Sequence, residues 1–490
     1  MSTFAGPPQP YGRPVLASDG LPAVPSPASI HAWPHPTVAP AKARRGWRTF
    51  FSVVGLLVLA ACALAILIVI GINTGRTGFV LGAVLAMLPV PLLVAAFRWL
   101  DKYEPEPARY LIFAFVWGAA VATLAALLLN TVGTAVFFAS PGETDIGLEA
   151  VFIAPPVEEA AKGAVVLILA LRRRIDGIVD GIVFAGLCGV GFAFTENILY
   201  IGRAFAEGTE QFGTGTGVFG AIFTFLLRGI VSPFAHPLFT LPIGIAIGLA
   251  VRQQRLLFKI MLPLVGYVLA MTLHGLWNGI AVRAGERAQE TQNGLVGLGV
   301  FGLGYALIMV PAFGAAIWLA VWFRRREGRV LNRRLPAYAE AGWIAPHEVA
   351  LLSSLRLRQL GLDLATQLGG KDARRATRAY QEHVIGLGYL RDRLARGRRV
   401  EMDLVKQGEM LGSLFDLRSR AVVPPPPYGP PPPPYRPPQP PYGPGPPPYV
   451  SGPPPYGSGP PPYGPGPPSY GSGPPPWVPP PGARPPGQPG

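Results

Sequence analysis

Three charged residues, Glu158, Glu159 and Lys162, interrupt the apolar stretch APPVEEAAKGAVV at residues 154 to 166. A charge at the centre of a bilayer costs about 2.5 to 3.5 kcal/mol, so charged residues in a membrane helix indicate a functional site. Their spacings of three and four residues let either carboxylate meet the ammonium on one helix face. The proline pair before them starts a fresh helical turn, whose positive end favours carboxylates. Such a group supports a salt bridge, a proton relay or acid–base catalysis.

Other polar residues fall in apolar runs at a similar depth. Of the six histidines, only His236 and His274 lie in such runs, and Glu196 lies in the segment FAFTENILY. Asn278 follows His274 by four residues and therefore shares its helix face. Counting inward at 1.5 Å per residue, Glu158, Glu196 and His274 lie roughly 10 to 15 Å below the same membrane surface. Three separate helices are therefore predicted to bring polar groups to one level, and a fourth if His236, whose long apolar run leaves its depth open, joins them.

The composition is that of a membrane protein. Of the 490 residues, 50% are hydrophobic and only 14% are charged, whereas a soluble domain carries roughly a quarter charged residues. A membrane helix needs about 20 apolar residues, and the chain has about eight such runs, so the predicted fold is all-α and polytopic. Arg228 and Pro233, in the run at 214 to 251, indicate that this span is tilted or bent where it enters the membrane. Cys62 and Cys188 lie within other apolar runs and are interpreted as core residues. The runs are 50 to 72, 79 to 97, 110 to 138, 150 to 171, 181 to 202, 214 to 251, 260 to 282 and 294 to 323.

The net charge of +15 follows the membrane topology. Alternate loops are rich in Lys and Arg, which is the positive-inside pattern, and it places both termini in the cytoplasm of a multi-pass cell-membrane protein. Because a basic face toward anionic lipid accounts for the charge, we predict lipid contact and no nucleic-acid binding. The basic groups lie near residues 42 to 48, 98 to 109, 172 to 174, 252 to 259 and 324 to 329.

Three further regions flank the membrane domain, which we place at 46–326. Residues 1–45 are rich in Pro, Ala and Ser and are predicted to be disordered. Leucines alternate with charged residues over 334–420, which predicts two or three amphipathic helices in a small cytoplasmic domain. Residues 423–490 repeat Pro, Gly and Tyr, which predicts a disordered extended spacer. Its PPPY repeats look like WW-domain ligands, but a spacer is favoured, and no tail partner is identified.

Four motifs together resemble the PrsW family of intramembrane proteases. They are EEAAK, FAFTEN, FAHPLFT with its isolated His236, and HGLWN. The family is related to the CAAX-prenyl endopeptidase and bacteriocin-processing superfamily. The segment DKYEPEPARYLIFAFVWGA also resembles actinobacterial members, and the likeness covers roughly residues 50 to 325 in order and spacing.

The resemblance implies an intramembrane endopeptidase that cuts single-span regulatory membrane proteins, such as anti-sigma factors, near the outer face of the bilayer. It implies that Glu158 or Glu159 activates water, and that Lys162 and the second carboxylate orient the first. His236, His274 and Asn278 would bind the oxyanion or a metal, and Glu196 would complete the polar shell. A zinc ion on His236, His274 and Glu159 is one interpretation and a metal-free glutamate mechanism is the other.

Two other classes of function are compatible with buried Glu and His residues. A proton-coupled carrier or other transporter would also keep such residues near broken helices, although the span pattern shows no twofold internal repeat. In a catalytically inactive scaffold the soluble helices and the tail would carry the function. The inactive scaffold is disfavoured because every motif position holds a side chain that can take part in catalysis.

Overall fold

A computed structural model describes residues 17–21, 23–32, 45–137, 146–396 and 400–424. The described residues form helices and no strand, which confirms the all-α prediction. The α-helices are α1 (Arg45–Met87), α2 (Val90–Leu100), α3 (Ala108–Val116), α4 (Thr123–Phe137), α5 (Ile146–Leu148), α6 (Ala154–Leu171), α7 (Ile178–Phe212), α8 (Thr214–Phe225), α9 (Ala235–Ala250), α10 (Leu256–Glu290), α11 (Gly294–Gly304), α12 (Val310–Arg334), α13 (Pro336–Glu340), α14 (Pro346–Ser353), α15 (Leu355–Ala395) and α16 (Val400–Arg420).

Six helical stretches in the described part of the chain are long and apolar enough to cross a membrane. The first, Val53–Leu100, bends at Gly75, where the φ of +64° suits glycine and separates two of the predicted apolar runs. Helix α6 is not among the six, since its three charged residues interrupt its apolar character. A polytopic membrane protein is therefore confirmed, and the count of about eight spans stays a prediction.

Helix α7 forms the centre of the bundle and is buried along almost its whole apolar length. Its glycines allow close helix packing, as small residues do in membranes. A Cβ atom added to Gly181 would lie 2.1 Å from the carbonyl oxygen of Gly244 on α9, and one added to Gly189 would lie 2.6 Å from the nitrogen of Pro237. Helices α7 and α9 therefore touch backbone to backbone, which brings their polar residues together.

Short π-helical segments interrupt several helices of the bundle. Glu149–Ile153 leads directly into α6, and Leu226–Val231 precedes the turn that starts α9. Two others, Trp117–Ala122 and Tyr305–Met309, join α3 to α4 and α11 to α12. Such segments widen a helix locally and are frequent at functional sites.

The region predicted as a helical cytoplasmic domain folds as helices α13 to α16 around a core of its own. Tyr338, Val384 and Leu387 are buried there, and α15 changes direction at Gly370, where φ is +64°. The end of α12 also contributes to this core through Leu331.

Part of the predicted disordered N-terminal tail packs on this helical region. The Asp19 carboxylate is fully buried against Arg391, and Trp343 donates to the Pro25 carbonyl at 2.6 Å. Composition alone did not predict these contacts. The remainder of that tail, and nearly all of the predicted spacer at 423–490, lie outside the described residues.

Candidate functional site

The first turns of α6 bring Glu158, Glu159 and Lys162 onto one buried helix face, as their spacing predicted. The Lys162 Nζ atom lies 2.8 Å from Glu159 Oε1 and 3.3 Å from Glu158 Oε2. It also lies 3.8 Å from the centre of the Phe192 ring on α7, which adds a cation–π contact. The ammonium is therefore held on several sides and is completely buried.

Glu159 is the most fully engaged carboxylate of the group. Besides Lys162, it accepts hydrogen bonds from Thr240 Oγ1 at 2.9 Å and from His274 Nδ1 at 3.0 Å. Its side chain is 0% exposed, whereas that of Glu158 is 9% exposed. Glu159 therefore acts as an anchor between α6, α9 and α10, and Glu158 is the more accessible carboxylate.

His236, on the first turn of α9, bridges two other helices. Its Nε2 atom lies 2.6 Å from Glu196 of α7, and its Nδ1 atom lies 3.1 Å from Lys162 Nζ. Because the ammonium can only donate, Nδ1 must accept and Nε2 must carry the proton that goes to Glu196. The network thus sets the tautomer of a neutral His236.

Glu196 is paired a second time, with Arg228 of the π-helical segment before α9. Arg228 also donates to Asn197 at 2.8 Å and lies over the Tyr200 ring at 4.1 Å. From the sequence alone, Arg228 indicates only a bent span. A lone arginine in an apolar run was the available signal that it belongs to the site.

His274 completes the cluster from α10. Its ring stacks on Phe239, with centroids 4.6 Å apart and an interplanar angle of 17°. Its Nδ1 atom donates to Glu159, and its Nε2 atom faces Glu158 at 3.9 Å. The two histidine rings lie 5.4 Å apart, so four helices meet at one polar centre.

Asn278 lies one turn beyond His274 but has a different contact. Its amide donates to the backbone carbonyl of Ala150 at 2.7 Å, in the π-helical segment that precedes α6.

Thr240 of α9 also belongs to the cluster, through its contact with Glu159, although its sequence context did not indicate this. A hydroxyl within an apolar helix carries little sequence signal, because it can bond to its own backbone, as Thr240 also does to His236.

One set of side chains in the described part of the chain could hold a metal ion. Its members are Glu158, His236 and His274, whose ligand atoms lie within 4.8 Å of one another. Two histidines and one glutamate match an open catalytic zinc site. On each histidine the ring nitrogen that would not bind the ion contacts a carboxylate, Glu196 for His236 and Glu159 for His274, as is usual for histidines that bind metals. The donor set therefore fits a divalent ion. Glu158 replaces the predicted ligand Glu159, which three donors already occupy.

Lys162 bears on how an ion would bind. Its ammonium contacts His236 Nδ1 and Glu158, two of the three candidate ligands, and it also contacts Glu159. Because like charges repel, a bound cation requires the ammonium to retreat toward Glu159.

Comparison with known proteins gives matches to one protease family. Residues 106–316 match the profile of the PrsW family of intramembrane metalloproteases. Protease PrsW of Clostridioides difficile (strain 630) is 30% identical over 159 residues, 32% of this chain and 60% of the relative. Protease PrsW of Geobacillus kaustophilus (strain HTA426) is 25% identical over 224 residues, 45% of this chain and 86% of the relative. No solved structure matches the chain. The resemblance to the PrsW family is confirmed, and the actinobacterial type stays a prediction.

Proposed function

We infer that this chain, a PrsW family member through its residues 106–316, is an intramembrane endopeptidase that hydrolyses peptide bonds of membrane-anchored proteins. The observation that carries this proposal is the convergence of Glu158, Lys162, Glu196, His236 and His274 from four helices in one buried cluster. The chain spans 60% and 86% of the lengths of the two curated relatives. Their protease activity is therefore assigned to this chain as part of the proposal.

Glu158 is the group best placed to activate water. General base catalysis needs a carboxylate that a water molecule can reach. Glu158 has one ammonium partner at 3.3 Å and keeps some exposure, whereas three donors surround the fully buried Glu159. We therefore assign proton abstraction to Glu158 and the anchoring of Lys162 and His274 to Glu159.

His274 is placed to act on the substrate carbonyl. Its Nδ1 atom is fixed by Glu159 and its ring by Phe239, so that Nε2 points toward the space beside Glu158. As an imidazolium, with protons on both ring nitrogens, His274 would donate from Nε2 to the developing oxyanion, which is the kind of preorganised contact that lowers the barrier most. The Lys162 charge adds to the same electrostatic stabilisation.

His236 and Glu196 form the second half of the site. The proton on His236 Nε2 is held by Glu196, and Arg228 fixes that carboxylate in turn. The proton that Glu158 takes from water would pass to the leaving amine through His236 Nδ1, the nitrogen that faces the cluster, while Glu196 stabilises the imidazolium formed on the way.

When bound, a divalent ion would be held by Glu158, His236 and His274 and would lower the pKa of a water molecule and polarise the scissile carbonyl. The roles given above for Glu158 and His274 are those of the metal-free mechanism; for the metal-dependent alternative we propose zinc as the ion. Glu158 would then serve as a ligand, and the outer carboxylates Glu159 and Glu196 would orient the two histidines.

The positive-inside pattern supports a cytoplasmic location of both termini in the cell membrane. Basic loops at 172–174 and 252–255 lie at the bundle end that contacts α15, and the site lies toward the opposite end. A scissile bond must leave its helix to reach the site, because a membrane helix hides its carbonyls in internal hydrogen bonds. We therefore propose single-span substrates of the anti-sigma-factor type, cut near the outer face.

The test is cleavage in proteoliposomes that contain only the purified protein and a single-span substrate. Wild type should release a defined fragment, and His236→Ala should reduce the rate by at least about 100-fold, the range for loss of a proton-transfer group. Parallel reactions with a chelator distinguish the metal-dependent mechanism from the metal-free one. Equal rates for wild type and His236→Ala would overturn the proposal.

A further inference from the structure

Three consecutive residues of α15 each contact a different part of the chain. Arg391 binds the carboxylate of Asp19 in the N-terminal segment. Asp392 pairs with Arg252 at 3.4 Å, and Arg393 pairs with Asp176. One turn of a helix outside the bundle therefore contacts two loops of the membrane domain.

These two loops join the helices that carry the candidate site. Asp176 lies between α6, with Glu158, and α7, with Glu196, while Arg252 lies between α9 and α10, with the two histidines. Gln254 of the second loop also donates to the Arg396 carbonyl at 2.8 Å. Helix α15 thus contacts both helical hairpins at the end remote from the site.

Glycines form the closest points of the contact between the α6–α7 and α9–α10 hairpins. A Cβ atom added to Gly248 would lie 2.6 Å from the Gly177 carbonyl oxygen, and Gly181 and Gly244 touch in the same way. Glycines bring the backbones close, and apolar side chains such as Ile182, Ile243 and Ile247 pack beside them, so directional restraint along the helix axis must come from polar pairs. The ion pairs at the loops are directional and supply that restraint.

The site depends on the register of these helices. His236 of α9 reaches Glu196 of α7 at 2.6 Å and Lys162 of α6 at 3.1 Å. A slip of one residue along a helix is about 1.5 Å, enough to break both hydrogen bonds. A restraint at the loops is transmitted because the intervening helices are rigid elements.

The ion pairs are protected enough to act as this restraint. The exposed side-chain fractions are 15% for Asp392, 21% for Arg393 and 26% for Arg252, while Asp176 is 40% exposed, so the Asp392–Arg252 pair is the better protected of the two. Arg334 and Arg396 also contact Asp392, so the carboxylate belongs to a network. Networks of partly buried charges hold geometry better than isolated exposed pairs.

We propose that Asp392 and Arg393 are positioning residues, which clamp the α6–α7 and α9–α10 loops and thereby fix the register of the four helices that form the site. The predicted effect of this clamp on catalysis rests on the proposed function. Its predicted effect on the positions of the helices does not depend on that function.

The experiment reverses one ion pair and measures both consequences. Spin labels are placed at residues 172 and 253, one in each loop, after Cys62 and Cys188 are replaced, and their distance distribution is measured in proteoliposomes. Arg393→Asp should broaden or shift that distribution and lower kcat by about 10- to 100-fold, the range for a displacement of about 1 Å, with little change in KM. Combining it with Asp176→Arg should restore both properties.

Arg375→Asp is the matched control, since Arg375 and Asp372 form a pair on the same helix with side chains 79% and 91% exposed. Arg252→Glu tests the second loop independently and should have the same effect as Arg393→Asp. An unchanged distance distribution in both Arg393→Asp and Arg252→Glu would overturn the proposed clamp. If wild type cleaves nothing while the distances respond as expected, the clamp stands and the proposed function fails.

Discussion

His236 Nε2 lies 2.6 Å from the Glu196 carboxylate, so that the first turn of α9 is tied to the middle of α7 through a charge-assisted hydrogen bond. The carboxylate is held from its other side by Arg228, which also donates to Asn197. The orientation of His236 therefore depends on an arginine that need not touch the substrate.

Replacing Arg228 with methionine should lower kcat by about 10- to 100-fold while the protein still inserts, because Glu196 loses its second partner. Arg228→Lys should not restore the rate, since an ammonium cannot bridge Glu196 and Asn197 as the guanidinium does. Arg203→Met is the control, as Arg203 donates only to Asn73 among its contacts in the described residues. Full rescue by lysine would show that the charge alone suffices.

The two glutamates of α6 should respond differently to substitution. Glu158→Gln should lower the cleavage rate by at least about 100-fold, with little change in the unfolding temperature. Glu159→Gln should lower both activity and stability, the latter by about 3 kcal/mol, because it leaves buried Lys162 without its closest partner. Activity assays together with thermal unfolding in detergent check this. The reverse pattern would show that Glu159 is the base.

Metal binding should depend on the histidines and not on Asn278. Purified protein loaded with zinc and washed should retain the ion in wild type and in Asn278→Ala, because that amide contacts a backbone carbonyl. His274→Ala should lose the ion, since removal of a ligand leaves an incomplete set. Elemental mass spectrometry gives the zinc content independently of activity. Equal zinc in all three proteins would place the ion elsewhere.

Much of the site followed from the sequence, because its key residues sit in local patterns. Glu158, Glu159 and Lys162 share a helix face by spacing alone, and counting residues inward from the helix ends placed His274 at their level. The pairings of Arg228 with Glu196 and of Thr240 with Glu159 could not be predicted. Each joins residues distant in sequence, so its distance depends on how whole helices pack, which no local pattern encodes.

The N-terminal segment shows the same limit in a different way. Its composition favours disorder, yet Asp19 accepts two hydrogen bonds of 2.7 Å from the buried Arg391. Asp19→Asn should destabilise the helical region by about 3 kcal/mol, because it leaves the arginine charge buried without its carboxylate. Asp372→Asn, at an exposed pair, is the control for proteolysis and unfolding assays. Equal stability of the two variants would show that the segment contributes no binding energy.

The most direct measurement is mass spectrometry of the fragments that the purified protein releases from a single-span substrate in proteoliposomes. The account predicts new termini at or just outside the extracytoplasmic end of the substrate's span, and none with Glu158→Gln. Cuts on the cytoplasmic side, or the same fragments from Glu158→Gln, would contradict it.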